Sequence, residues 1–166
     1  MRGLRKRLPP GIAEQVGVLR GEKVLAWGAN TVGAETSYVI ATNQALYVLG
    51  DRVPWHRIGR ASWEEPVLDV AVLAYGTMPP RTIRVDVSDS GDLPPAVHDR
   101  VTDSVLISEH VDLADSAGAR MVARRDSDDG SIHWSVVFDP GLDPSDLALR
   151  AAADEALDRL RVSLGI

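Results

Sequence analysis

Any chemistry in this chain would have to come from a few scattered side chains. The four histidines, His56, His98, His110 and His133, stand alone in sequence. His110-Val111-Asp112 puts two possible ligands on one face of a strand, but structural zinc takes four ligands and catalytic zinc three, so no metal is implied. Asp126-Ser127-Asp128-Asp129-Gly130 has the acids of a calcium loop without its glycine at the sixth position or its glutamate at the twelfth, and reads as a hairpin turn. Asp69, inside VLDVAVL, is the acid most surrounded by apolar residues, a setting that would raise its pKa. There is no G-x-S-x-G, no Gly-Lys-Ser/Thr phosphate loop and no G-x-G-x-x-G following a strand. No residue is assigned a catalytic role and no cofactor is implied.

One group of residues has the composition of a recognition surface. Trp55, His56, Arg57, Arg60 and Trp63 fall within one strand-like segment. If they share the rim of a barrel they form an aromatic patch with a polar tip, and the two arginines add affinity for an anion there.

The elements that must position this group are strands. Thr36–Trp63 reads TSYVIATNQALYVLGDRVPWHRIGRASW, in which two apolar, β-branched and aromatic runs flank the corner Thr42-Asn43-Gln44. Asn43 tolerates positive φ and suits the tight turn. A second corner, Gly50-Asp51, leads into a strand carrying Val53, Trp55 and Ile58, with a bend expected at Gly59. Upstream, Glu22–Ala29 is a further strand. Downstream, Val67–Ala74 is nearly all apolar, as in a strand covered on both faces, whereas Thr82–Val87 alternates strictly. A short helix opens at Leu93-Pro94-Pro95, with Val97, Val101 and Val105 at helical spacing. Strands follow at 105–113, 118–125 and 131–138, either completing the first sheet or forming their own. The last element is an amphipathic helix over 144–164, with Asp143 as N-cap, Leu149, Ala153, Ala156, Leu157, Leu160 and Leu164 in one stripe, and Gly165 as C-cap.

Bulk properties narrow the function classes. The 166 residues are 45% hydrophobic and 25% charged, and contain no cysteine, so neither disulfides nor thiolate metal sites arise. No apolar run reaches the ~18–20 residues that cross a bilayer, and the segment after the basic start is interrupted by charge, which argues against a secretory signal; the cytoplasm is the expected compartment. The net charge is −6, while Arg2, Arg5, Lys6 and Arg7 contribute +4 to the first ten residues, leaving the remaining body at −10. An acidic body argues against nucleic acid as the main partner. The arm 1–20 is expected to be solvated, its cations offering at most a weak contact with an anionic membrane surface.

YVIATNQALYVLG (Tyr38–Gly50) followed by VPWHRI (Val53–Ile58) resembles the bacterial pleckstrin-homology-like and GRAM-like domains, where a strand ending in Ala-Thr turns into one of the type Ala-Leu-Tyr-Val and then into Pro-x-x-x-Ile. The likeness spans residues 22–63. It implies an α+β fold: an antiparallel β meander forming a half-open barrel, closed by the long C-terminal amphipathic helix, with one short internal helix, as a single domain over 21–166. The family's barrel has seven strands, against about nine candidates here. It also implies binding rather than catalysis. The basic cluster by which some members hold phosphoinositides has no counterpart in GANTVGAET (Gly28–Thr36). The expected function is thus a non-catalytic cytoplasmic binding or adaptor module for a protein partner; the alternative is a small-ligand carrier or an enzyme with its pocket inside the barrel.

Overall fold

The computed structural model describes residues 6–113 and 116–166. The chain divides into two compact units, one built from the chain up to Ser104 together with Asp126–Ser131, the other from Val105–Arg125 and Ile132–Ile166.

The first unit begins with a short helix, α1 (Ile12–Val16), followed by a four-stranded antiparallel meander of β1 (Val24–Val32), β2 (Glu35–Thr42), β3 (Ala45–Val48) and β4 (Asp51–Pro54). A single 3-10 turn at Trp55–Arg57 then leads into a second antiparallel sheet of β5 (Ile58–Glu64), β6 (Val67–Val72) and β7 (Arg81–Asp86), and α2 (Leu93–Ser104) follows. The segment read as one strand bent at Gly59 is therefore broken earlier, at Trp55, and its halves belong to different sheets. The two sheets are hydrogen-bonded separately and do not close into one barrel.

Period-two alternation decides what each strand buries. Val39, Ala41, Leu46, Val48 and Val53 from the first sheet meet Leu68, Val70, Val72, Ile83 and Val85 from the second, and Leu93 and Val97 of α2 join the same cluster. β6 buries every second residue, so its apolar run reflects one inward face rather than cover on both. Asp69 sits on the half-exposed side and pairs with Arg84 across the ladder at 3.2 Å.

The other face of the first sheet is covered by the N-terminal segment. Leu8, Ile12, Val16 and Val18 pack on Trp27, Ala29, Ile40 and Tyr47. Residues 6–20 of the arm expected to be solvated are held here by their apolar side chains, with Lys6 stacked 4.6 Å over the Trp27 ring and bonded to Asp89. Arg7 is exposed, while Arg2 and Arg5 lie outside the described residues.

Close approach of β1 to the core rests on Gly28. A Cβ there would come 2.5 Å from Val87 Cγ1 and 3.1 Å from both Leu93 Cδ2 and the Asp89 carbonyl. Gly28→Ala should therefore lower stability by about 1–3 kcal/mol through overpacking, read as a drop in the urea midpoint at unchanged slope.

The second unit is a three-stranded antiparallel meander, β8 (Val105–Asp112), β9 (Gly118–Arg125) and β10 (Ile132–Phe138), with α3 (Leu147–Leu164). These strands form a sheet of their own. Ala153, Ala156, Leu157 and Leu160 of α3 pack on Ala119, Met121, Trp134, Val136 and Phe138. The helix found in the core with β1–β7 is thus the short α2, whereas the long terminal helix covers β8–β10. Asp146, not Asp143, caps α3, accepting from the amides of Ala148 at 2.9 Å and Leu149 at 3.1 Å. Asp143 caps the preceding turn, where the Ser145 hydroxyl and amide hold its carboxyl below the ordinary value. Gly165 closes α3 at positive φ, as expected. No helix among the described residues is long and apolar enough to cross a membrane.

Candidate functional site

The predicted recognition residues are adjacent in the chain but do not make one surface. Trp55 is 2% exposed in the core, and its indole N–H donates to the Thr42 carbonyl at 2.9 Å. His56 is buried, with Nε2 3.5 Å from the Asp126 carboxylate. Arg57 stacks over the Tyr75 ring at 4.7 Å. Arg60 is exposed on β5, and Trp63 is half-buried against the core. The 3-10 turn explains the dispersal: three residues per turn rotate Trp55 inward and Arg57 outward, where an extended strand would have kept them on one side.

The remaining polar candidates also have structural settings. His98 is exposed on α2, His133 is half-buried on β10, and His110 faces both oxygens of Asp139 at 3.0 Å in the second unit. The acidic turn 126–130 forms the expected hairpin corner and belongs to the first unit. There Asp128 meets Arg52 at 2.8 Å, and the Ser127 hydroxyl donates to the Gln44 carbonyl at 2.8 Å.

A buried network that no motif announced lies beneath this turn. The Glu22 side chain is 1% exposed and receives Arg52 Nη2 at 2.6 Å, Thr42 Oγ1 at 2.7 Å and the Tyr47 hydroxyl at 3.0 Å. The bond to Asp128, reinforced by Glu22 and Tyr47 against the effect of burial, holds the Arg52 guanidinium above its ordinary pKa. Burial first, with Glu22 beside it, also raises the Tyr47 phenol, against the pull of the Leu19 amide and Arg52. Every member is satisfied, which is the condition under which a buried polar cluster specifies a structure rather than weakening it.

The surface feature best built for recognition is a cleft of about 260 Å³ on the first unit, lined by Val16 of α1, Thr36–Val39 of β2 and Tyr47–Asp51 of the β3–β4 hairpin. It exists because the meander splays. β2 is in register with β1 from Thr42 to Glu35, but with β3 only at Ile40 and Ala41. β3 and β4 are joined by the two-residue loop Leu49-Gly50, with φ of 48° and 82°. Both values are positive, as in a type I′ hairpin, where asparagine and glycine are the usual pair. Leucine in this conformation is strained, and Leu49 is 63% exposed at the edge of the cleft, with no core packing to compensate. Leu49→Asn should therefore raise stability by about 1 kcal/mol, measured as a higher thermal midpoint. The other corner works differently from expectation. Asn43 is not at positive φ; its amide donates to Lys23 O, and the Thr42 hydroxyl organises the turn by accepting from Gln44 and Ala45.

No family model, characterised protein or solved structure matches this chain. Among the described residues the cleft is lined by no histidine and by a single carboxylate, Asp51, which is paired with Arg81 at 2.8 Å. That chemistry suits recognition of a neutral or apolar group and supplies no acid–base pair.

Proposed function

We propose that this chain is a non-catalytic binding module with a pleckstrin-homology-like first unit, and that it recognises a protein partner. The architectural support is the order of elements. Four strands, then three, then a helix share one core; that helix is α2, where the resemblance at Tyr38–Ile58 implies closure by the C-terminal helix over 144–164.

The observation that carries the choice of partner is the contrast between interior and surface. Between the two sheets Leu46, Ile58, Leu68, Val70 and Leu93 are fully buried and packed together, so the interior is occupied by side chains. The splayed β2–β3 edge, in contrast, is open to solvent beside an exposed leucine. Filled interiors with open strand edges favour polypeptide partners.

The test combines cross-linked co-purification of the full chain from its source cell with a thermal-shift panel of metabolites. The expected result is a defined partner that rebinds when purified, and no metabolite effect. A metabolite that raises the midpoint by several degrees in a saturable way would replace this reading with that of a small-ligand carrier or an enzyme.

A further inference from the structure

We infer that the partner contributes an extended, non-acidic segment that adds as a strand to the open edge of β2, seating one apolar side chain in the cleft beside Leu49. This rests on the protein-partner reading above and specifies its site and chemistry.

The orientation of the backbone decides the edge. Ala29 of β1 donates to Asp89 O at 2.8 Å and accepts from Asp89 N at 2.9 Å, so both its polar groups point away from β2. Ala29 lies opposite Tyr38 in the β1–β2 ladder. In an antiparallel ladder the members of such a pair both turn their N–H and C=O outward, and the pattern repeats every second residue. Tyr38 and Thr36 therefore present four backbone groups to the cleft side, and Ile40, of the same parity, is the residue that meets Tyr47 of β3. Among the described residues no strand pairs with Thr36 or Tyr38 on that side.

Three further observations define the occupant. Natural sheet edges are usually guarded by charge, proline or bulges, yet Thr36–Val39 carries none of these. The cleft of about 260 Å³ has room for an apolar side chain. Leu49 retains a strained conformation while exposed, the pattern seen where strain serves a contact rather than the fold. Charge sets the remaining condition. Among the described residues no lysine or arginine lines the cleft, Glu35 opens β2, and the chain carries −6, so an acidic segment meets repulsion. Pairing of this edge with a second copy would bring the same acids together.

The test uses short randomised peptides displayed on phage and selected on the immobilised full chain. Selected peptides are then measured by fluorescence anisotropy against the wild type, Thr36→Pro and Leu49→Asn. Thr36→Pro removes an N–H aimed at the cleft and keeps the backbone ladder to β1, losing only the exposed hydroxyl contact with Thr31 at 2.9 Å. The expected result is a set of peptides with alternating apolar residues and few acids, binding at least about tenfold more weakly to each variant. Leu49→Asn combines that loss with a raised thermal midpoint, which separates lost recognition from lost folding. Backbone amides of Thr36 and Tyr38 should also gain hydrogen-exchange protection when peptide is added. Peptides that bind both variants as tightly as wild type would overturn this site while leaving the partner-binding module standing. Failure to select any peptide would overturn strand addition. A concentration-dependent dimer of the wild type, absent in Thr36→Pro, would reassign the edge to a second copy.

Discussion

Glu22→Ala should destabilise the first unit by about 3 kcal/mol, the lower end of what is found when one partner of a buried ion pair is removed. The carboxylate holds together groups from three strands: the Thr42 hydroxyl at the end of β2, the Tyr47 hydroxyl on β3 and Arg52 on β4. Removing it leaves the Tyr47 phenol short of its acceptor and Arg52 short of one of its two carboxylates, while the buried Thr42 hydroxyl keeps only the Ala45 carbonyl at 3.1 Å. The Arg52 side chain is 22% exposed and keeps Asp128, which moderates the loss. Urea unfolding followed by tryptophan emission measures it. The Glu22→Ala/Arg52→Ala double variant should lose clearly less than the sum of the singles, because each single already removes the Glu22–Arg52 bonds. Additive losses would show that the two residues act independently, against the geometry.

Trp55→Ala should cost about 3–5 kcal/mol, the range for truncating a buried large aromatic. The ring is 2% exposed and packs with Leu46, Ile58 and Leu93 in the shared core. Trp55→Phe restores most of the packing but leaves the Thr42 carbonyl without its donor, so about 1–2 kcal/mol should remain lost. Both are read from chemical denaturation. The pair also distinguishes a core tryptophan from a ligand platform. For a core residue, the conservative variant recovers stability, and peptide affinity follows folding rather than ring identity.

The strands were legible in the sequence because period-two alternation is a local property. Ile83, Val85 and Val87 alternate with Arg84 and Asp86, and the structure buries the apolar set. Gly165 was equally legible as a helix stop. What local pattern does not encode is which element covers which sheet. The stripes of α2 and α3 both have helical spacing, and only the packing assigns α2 to β1–β7 and α3 to β8–β10. The aromatic and basic residues at 55–63 share one surface only on an extended strand, and one 3-10 turn separates them. The splayed edge was hidden for a related reason. It arises from the short register between β2 and β3, and the direction its backbone groups face follows from an isolated bridge between Ala29 and Asp89, sixty residues apart in the chain. A sequence signal did exist at Leu49-Gly50, where a hairpin favours Asn-Gly and finds leucine instead.

The hairpin tip 126–131 has a bearing on how this protein can be divided. Its Asp128 and Ser127 complete bonds begun by Arg52 and Gln44, so the first unit draws on two separate stretches of chain. A gene segment ending at Ser104 would encode all seven strands and α2 and still omit part of what they hold. The module is therefore inherited or transplanted intact only together with the strands that carry that tip.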